Sequence, residues 1–435
     1  DLTAEIVTTV ARAIGTFFRQ NNAKTIALGF DARESSPEFC EILAKGLNET
    51  GCDVVLIGQV PTPVLYHTVY TKDVDGGVMI TGSHNPASHN GFKICLGKQT
   101  LFGSQIREIS EIAFANNFRE GNGSAESASV LDKYGSDIIS RIDLGKRRVK
   151  IVIDAGNGMG GVTAAPIYRE LGAKVVELYT NPDSSFPNHP PDPAVSDNLQ
   201  DLIDTVQKQH ADLGVAFDGD ADRITVVTHD GRIVWGDELT ILFARQILKQ
   251  NPGAAVIGEV KCSQTLFDEV ERLGGKALMC KAGHSIVKAK MQETGALLAG
   301  EMSGHIFFAD RYYGFDDACY AGARLLEILS KTDKKLSELL SDLPKTVSTD
   351  EIRIPCREED KFEIPRKIAG QFEATNEVIT VDGARISFEN GWGLVRASNT
   401  QAIIVCRFEA DTEASLSGIQ KMVESRVRDL IKKSL

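Results

Sequence analysis

A chain of 435 residues with 42% hydrophobic and 25% charged side chains has the proportions of a soluble globular protein, but it is too long for one core. Its 60 acidic and 48 basic residues leave a net charge of −12, so the basic face of a nucleic-acid binder is not expected, and no apolar run of about 18 residues offers a membrane span. Eight scattered cysteines (40, 52, 95, 262, 280, 319, 356 and 406) form no C-x-x-C pair and predict reduced core thiols in a cytoplasmic protein.

The opening residues, Asp1 to Glu5, lack the basic start and apolar stretch of a signal peptide and read as a helix start capped by Asp1 or Thr3. A helical pattern follows over Pro37–Leu47. Gly77–Ile80 reads as a buried strand, and it runs into the polar loop Thr81-Gly82-Ser83-His84-Asn85-Pro86. Serine needs an activating neighbour to act as a nucleophile, whereas Thr, Ser and Asn in a turn also cap helices; the loop alone fits both. Lys93, a few residues on, offers a cation to a phosphate. The basic segment Arg141–Arg148 marks a first boundary, and a new strand follows over Val149–Ile153.

After that strand comes Gly156-Asn157-Gly158-Met159-Gly160-Gly161, with Glu177 at the spacing of a ribose-binding acid. This is a weak dinucleotide signal, because a dehydrogenase would leave the loops on either side unexplained.

The second apolar run, Leu213–Phe217, ends in Asp218-Gly219-Asp220-Ala221-Asp222-Arg223. Alternate residues of an extended segment share a side, and three carboxylates on one side repel unless a cation lies among them. Hard oxygen ligands suit Mg²⁺, bound at about 2.1 Å. Arg223 fits either a phosphate anchor or a partner for the same acids. A helical pattern over Leu239–Leu248 leads to a second boundary at Asn251-Pro252-Gly253.

Beyond it, Lys281-Ala282-Gly283-His284 follows an apolar pattern and places His284 toward a cleft. The third run, Ala296–Ala299, ends in Gly300-Glu301-Met302-Ser303-Gly304-His305. Glu301 and Ser303 suit vicinal sugar hydroxyls, and His305 titrates in the range a proton carrier needs, with His284 as second choice. A third boundary lies near Ser348–Asp350. Closely spaced strand runs then follow (378–381, 384–388, 394–397 and 402–408), with a terminal amphipathic helix from about Thr412. The loop Arg396-Ala397-Ser398-Asn399-Thr400 offers donors for a phosphate. The fold expected is α/β: three similar mixed α/β domains, residues 1–145, 146–250 and 251–348, plus a smaller C-terminal α+β domain, 349–435, around one central cleft.

The four loops, in this order, resemble those of the α-D-phosphohexomutase superfamily: a serine loop, D-G-D-x-D-R, G-E-x-S-G and R-x-S-N-T. The resemblance extends to Asp31-Ala32-Arg33, Pro61-Thr62-Pro63, the stretch Phe186–Pro193 and Gly391-Trp392-Gly393, and is closest to the bacterial phosphomannomutase/phosphoglucomutase branch. It implies that Ser83 carries a phosphate and ligates Mg²⁺ with Asp218, Asp220 and Asp222. Glu301 and Ser303 would hold sugar hydroxyls, and Arg396, Ser398, Asn399 and Thr400 the non-reacting phosphate. Lys93, Arg223, Lys261, His284 and His305 would line the cleft. The expected activity interconverts hexose 1- and 6-phosphates of mannose and glucose, with glucose 1,6-bisphosphate as intermediate and activator. Hexose phosphates are then the partners expected, with no obligatory protein partner.

The superfamily usually opens with F-x-x-Y-D-I-R-G, whose tyrosine and arginine reach the active site; this sequence begins beyond it. His89 stands where a tyrosine is common. Phosphoglucosamine mutase is the nearest alternative, but that branch tends to carry Gln where Met302 stands. A metal-dependent phosphatase would use the same serine and let water take the phosphate, and a non-catalytic sugar-phosphate sensor need not keep Ser83 together with three aspartates.

Overall fold

Each of the four sheets contains an apolar strand whose far end turns back as a hairpin, and the polar loops of the sequence are the tips of those hairpins. The computed structural model describes residues 2–398 and 401–434. Asn399, Thr400 and Asp1 lie outside the described residues. Thr3 caps the first helix, Ala4–Gln20, by accepting from Ile6 N at 3.4 Å.

In the first sheet the strands lie in the order Gln99–Thr100, Phe92–Leu96, Gly76–Ile80, Thr25–Phe30, Asp53–Gln59 and Ala125–Ser127. Thr25–Phe30 is parallel to both neighbours, and Gly76–Ile80 turns back antiparallel onto Phe92–Leu96. The second sheet runs Ile233–Val234, Ile224–Thr228, Leu213–Phe217, Lys150–Asp154, Lys174–Leu178. Lys150–Asp154 is parallel to its two neighbours, as a helix-crossover sheet requires, and Leu213–Phe217 turns back onto Ile224–Thr228. The third sheet runs Lys276–Cys280, Ala255–Glu259, Leu298–Gly300, Ile306–Phe308, and its hairpin joins the last two. The fourth is antiparallel throughout, and its hairpin joins Gly391–Ala397 to Ile403–Ala410.

The third apolar run pairs later than its sequence suggests, over Leu298–Gly300 instead of 296–299. Gly295, at φ 68°, closes the helix His284–Thr294 in the left-handed conformation, and Ala296 and Leu297 are spent leaving that helix. The helix Gly236–Gln250 precedes the turn at Asn251 and packs on the third sheet: a Cβ on Gly300 would lie 1.8 Å from the Thr240 hydroxyl.

One continuous core passes from Val64 and Tyr66, through Ile151 and Ile153, to Leu325 and Leu329. The first three domains are therefore cemented to one another, each fully buried large aliphatic side chain contributing about 1.5–3 kcal/mol. The last domain has a separate core, in which Ile419, Val423 and Val427 of the terminal helix Glu413–Ser434 cover Val395 and Phe408.

Candidate active site

The hairpin tips of the first three domains meet at one point. Ser83 Oγ donates to Asp218 Oδ2 at 2.8 Å, across a sequence separation of 135 residues. Such an approach needs bare backbone on the facing loop: a Cβ on Gly219 would lie 2.4 Å from the Ser83 carbonyl oxygen. Ser83 itself sits at φ 49°, in the left-handed region that costs a non-glycine residue energy, so the surroundings must hold it there.

Arg33 holds it. This side chain is almost wholly buried, and its terminal nitrogens donate to the carbonyls of Ser83 (2.7 Å), Asn85 (2.7 Å), Pro86 (2.5 Å) and His89 (2.7 Å). Asp31 orients the fork through Arg33 Nε at 3.1 Å, and accepts from Ser36 Oγ at 2.7 Å. Beside the serine, His84 Nδ1 pairs with Asp192 Oδ2 at 2.8 Å and so ties the serine loop to the second domain.

Asp218, Asp220 and Asp222 are fully buried and offer oxygens within 4.8 Å of one another. They converge through a turn with Ala221 at φ 59°, not through the extended segment the alternation suggested. Lys93 Nζ contacts Asp220 Oδ2 at 2.7 Å and pairs closely with Asp222; Thr62 Oγ1 donates to Asp220 from a third element. Asp220 Oδ1 is buried without a hydrogen-bond partner, and Asp222 Oδ1 has only the His305 ring beside it, at 3.2 Å. Burial first, then Asp222 and Asp220, push the Asp218 carboxyl up, whereas Lys93 and His305 overcome burial and hold Asp222 low. Buried acids that lack donors and burden one another are a donor set for a hard divalent cation, so the residues present fit a metal.

His305 is buried beside this cluster. Its Nδ1 lies 2.7 Å from Glu301 Oε2, and its Nε2 lies 3.2 Å from Asp222 Oδ1 and 3.3 Å from Arg223 Nε. Burial disfavours charge there, but Asp222 prevails and lifts the imidazolium pKa to about 9. Arg223 also approaches Asp218 at 3.9 Å. Backbone pairing of Arg223 with His305 locks the 218–223 loop to the 301–305 loop.

His284 stacks on His305 at 5.4 Å and is more open, with 24% of its side chain exposed; burial and Lys288 keep it below its ordinary pKa. Behind both rings lies Asp316, fully buried, 2.7 Å from Lys288 Nζ and 3.4 Å from His284 Nδ1. Glu301 Oε1 accepts from Gly283 N at 2.6 Å, while Ser303 Oγ is 3.4 Å from His305 Nδ1.

Lys261 and Arg396 stand on either side of the junction between the third and fourth domains, bound to Glu351 (3.1 Å) and Asp382 (2.9 Å). Ser398 N donates to Ile403 O at 3.0 Å within the fourth hairpin. Sequence reasoning had assigned no role to Arg33, Thr62, Asp192, Lys288, Asp316, Glu351 or Asp382. Motif residues such as Asp31-Ala32-Arg33 flagged three of these places without showing what they touch.

The glycine run that hinted at a dinucleotide serves this site instead. A Cβ on Gly158 would fall 2.7 Å from Gly219 Cα, and Met159 N donates to Gly219 O at 2.9 Å, so the run packs under the 218–223 loop. Glu177 is bonded by Thr180 Oγ1 at 2.6 Å and paired with Arg169.

Comparison with known proteins agrees with this architecture. Residues 1–120, 132–231 and 235–347 match the phosphoglucomutase/phosphomannomutase alpha/beta/alpha domains I, II and III, and residues 351–426 match the C-terminal domain of the same family. A phosphomannomutase/phosphoglucomutase of Pseudomonas aeruginosa is 44% identical over 428 residues, 98% of this chain and 92% of that protein. A phosphoglucomutase of Neisseria gonorrhoeae is 46% identical over 424 residues, 96% of this chain and 92% of that protein. Among solved structures, a phosphoglucomutase/phosphomannomutase family protein from Burkholderia thailandensis matches with a TM-score of 0.93 at 43% identity, covering 98% of this chain and 94% of that one.

Three α/β domains whose hairpin tips meet, with a smaller C-terminal domain, define a mutase of the α-D-phosphohexomutase class, and hence an isomerase. Within that class, the chain belongs to the phosphoglucomutase/phosphomannomutase family. Among its described residues no helix is long and apolar enough to cross a membrane.

Proposed function

We propose that the protein interconverts the 1-phosphates and 6-phosphates of glucose and mannose through a phosphoryl group carried on Ser83. The observation that carries this reading is the 2.8 Å contact of Ser83 Oγ with Asp218, one of three buried acids whose oxygens converge. Mg²⁺ held by Asp218, Asp220, Asp222 and the Ser83 phosphate would supply charge neutralisation for the phosphoryl group in transfer.

In the first transfer the bond from phosphorus to Ser83 Oγ breaks as a bond to the free sugar hydroxyl forms. The hydroxyl proton leaves to a base and is returned to Ser83 Oγ. The product, a hexose 1,6-bisphosphate, turns over in the cleft. In the second transfer Ser83 Oγ takes the other phosphate and gives up its proton, which ends on the freed sugar oxygen. No phosphate is lost in the cycle, so glucose 1,6-bisphosphate also re-phosphorylates idle enzyme.

His305 is the main proton carrier in this reading, acting from its charged form as the acid, with His284, held toward its neutral form and stacked against it, as the more open second ring able to take a proton. Lys93 and Arg223 balance the acids and the transferred group. Glu301 and Ser303 grip sugar hydroxyls in either orientation, and Lys261, Arg396, Ser398, Asn399 and Thr400 grip the phosphate that is not reacting. Hexose phosphates are the partners this chemistry requires.

Peptide mapping of active protein, joined to an assay of glucose 1-phosphate conversion to glucose 6-phosphate, tests the proposal. Phosphate on Ser83 and an inactive Ser83→Ala variant are expected; full activity in that variant would refute it.

A further inference from the structure

Two acids of the last domain sit against the cations that the proposed function assigns to substrate phosphate. Glu351 immediately precedes the strand Ile352–Pro355, and its Oε1 reaches Lys261 Nζ at 3.1 Å across the domain junction. The nearest other acid to Lys261, Glu259, is 3.9 Å away. Arg353 lies 3.7 Å from the second Glu351 oxygen, and the charge of Arg396 also bears on this carboxylate. Asp382 differs: its Oδ2 takes Arg396 Nε at 2.9 Å and also the backbone N–H of Ala282 at 3.3 Å, so it is anchored to the third domain on its own account. Among the described residues, the Glu351 carboxylate takes no such backbone N–H. It is 25% exposed, while Lys261 is 14% exposed, so solvent reaches the pair and it is not in a sealed core.

We propose that Glu351 is a tethered counter-ion: it occupies Lys261 until a phosphate monoester displaces it, and so sets which anions the cleft admits. The proposal rests on the reading of Lys261 as a phosphate ligand. A carboxylate fixed to the neighbouring strand competes at a high effective concentration, against which a free single-charged anion gains little. A phosphate monoester brings a charge of about −1.5 to −2 and three strong acceptor oxygens, enough to take the ammonium and to bind the fourth loop at the same time. The same exchange frees Glu351 from the third domain at the moment substrate arrives.

Glu351→Gln and Glu351→Asp, made in the full chain, test this with inorganic phosphate as the probe. Inhibition of the mutase reaction by phosphate and the rise in melting temperature that phosphate causes are both measured. For Glu351→Gln the phosphate inhibition constant should fall about three- to tenfold, as expected for removing an exposed to half-buried ion pair that competes with the ligand. Glu351→Asp, one methylene short of Lys261, should move the same way by less. A merely structural tether would leave phosphate binding unchanged or weaker in both variants, and that result would overturn the proposal. Lys261→Met separates the two levels. If it weakens phosphate and substrate while Glu351→Gln does not strengthen phosphate, the counter-ion role alone fails. If Lys261→Met changes neither, the assignment of Lys261 fails and takes the counter-ion with it.

Discussion

The Arg33 guanidinium donates to the Ser83 carbonyl at 2.7 Å and to three further carbonyls of the same loop. A strained serine backbone is thereby fixed from inside the protein. Arg33→Lys keeps the charge but loses the rigid fork, so it should lower kcat/KM by about 10²-fold while the fold survives. Arg33→Met leaves Asp31 buried without its partner and should cost about 3–5 kcal/mol in chemical denaturation.

Metal dependence has a signature in stability as well as in rate. Chelator should abolish turnover and added Mg²⁺ restore it. Because the three acids are buried and burden one another, saturating Mg²⁺ should also raise the melting temperature, by the equivalent of about 2.7 kcal/mol at a hundredfold excess over Kd. Asp220→Asn should shrink both effects. Equal melting curves with and without Mg²⁺ would count against the acidic cluster as the site.

His305→Ala should reduce kcat by about 10²–10⁴-fold with a much smaller change in KM, as loss of a positioned proton carrier does. Near-normal kcat would transfer the role to His284.

Asp317 provides a pH test that reads stability instead of rate. It accepts from the hydroxyls of Tyr134 (2.9 Å) and Tyr312 (2.8 Å) and from Tyr320 N (2.8 Å), yet burial outweighs these donors and pushes its pKa up to about 6. The folded protein therefore holds a proton that the unfolded chain has released between about pH 4 and 6. Its contribution to stability is lost as pH rises through that window, by about two pKa steps of 1.36 kcal/mol each, or about 3 kcal/mol. Asp317→Asn removes the group, so the stability of the native protein minus that of the variant should fall from pH 4 to pH 6 and then level off. Denaturant titrations at spaced pH values measure it.

Much of this site could be read from sequence, because its loops follow strands whose unbroken apolar character marks burial on both faces. The acids of 218–223, the serine loop and the 301–305 loop were each visible as polar ends of such runs. What the sequence concealed was the means of assembly. The loops are hairpin tips, a fact set by the antiparallel partners Phe92–Leu96, Ile224–Thr228 and Ile306–Phe308. Arg33 acts on backbone carbonyls 50 to 56 residues away, which no side-chain pattern reveals. Lys288 reaches the histidines from one turn along the helix of His284, and Asp316 from the loop before the helix Ala318–Ser330; neither belongs to a motif. The glycine run at 156–161 looked like a dinucleotide fingerprint because close packing against Gly219 demands the same missing side chains.

The central claim is that the phosphoryl group travels between Ser83 and the sugar. Protein labelled with radioactive phosphate on Ser83, mixed with unlabelled hexose 1-phosphate, tests it in one experiment. The label should leave the protein within the first turnovers and appear in hexose bisphosphate and hexose 6-phosphate, with little inorganic phosphate. Label that stays on Ser83 through many turnovers, or that emerges as inorganic phosphate as fast as the sugar isomerises, would contradict the account.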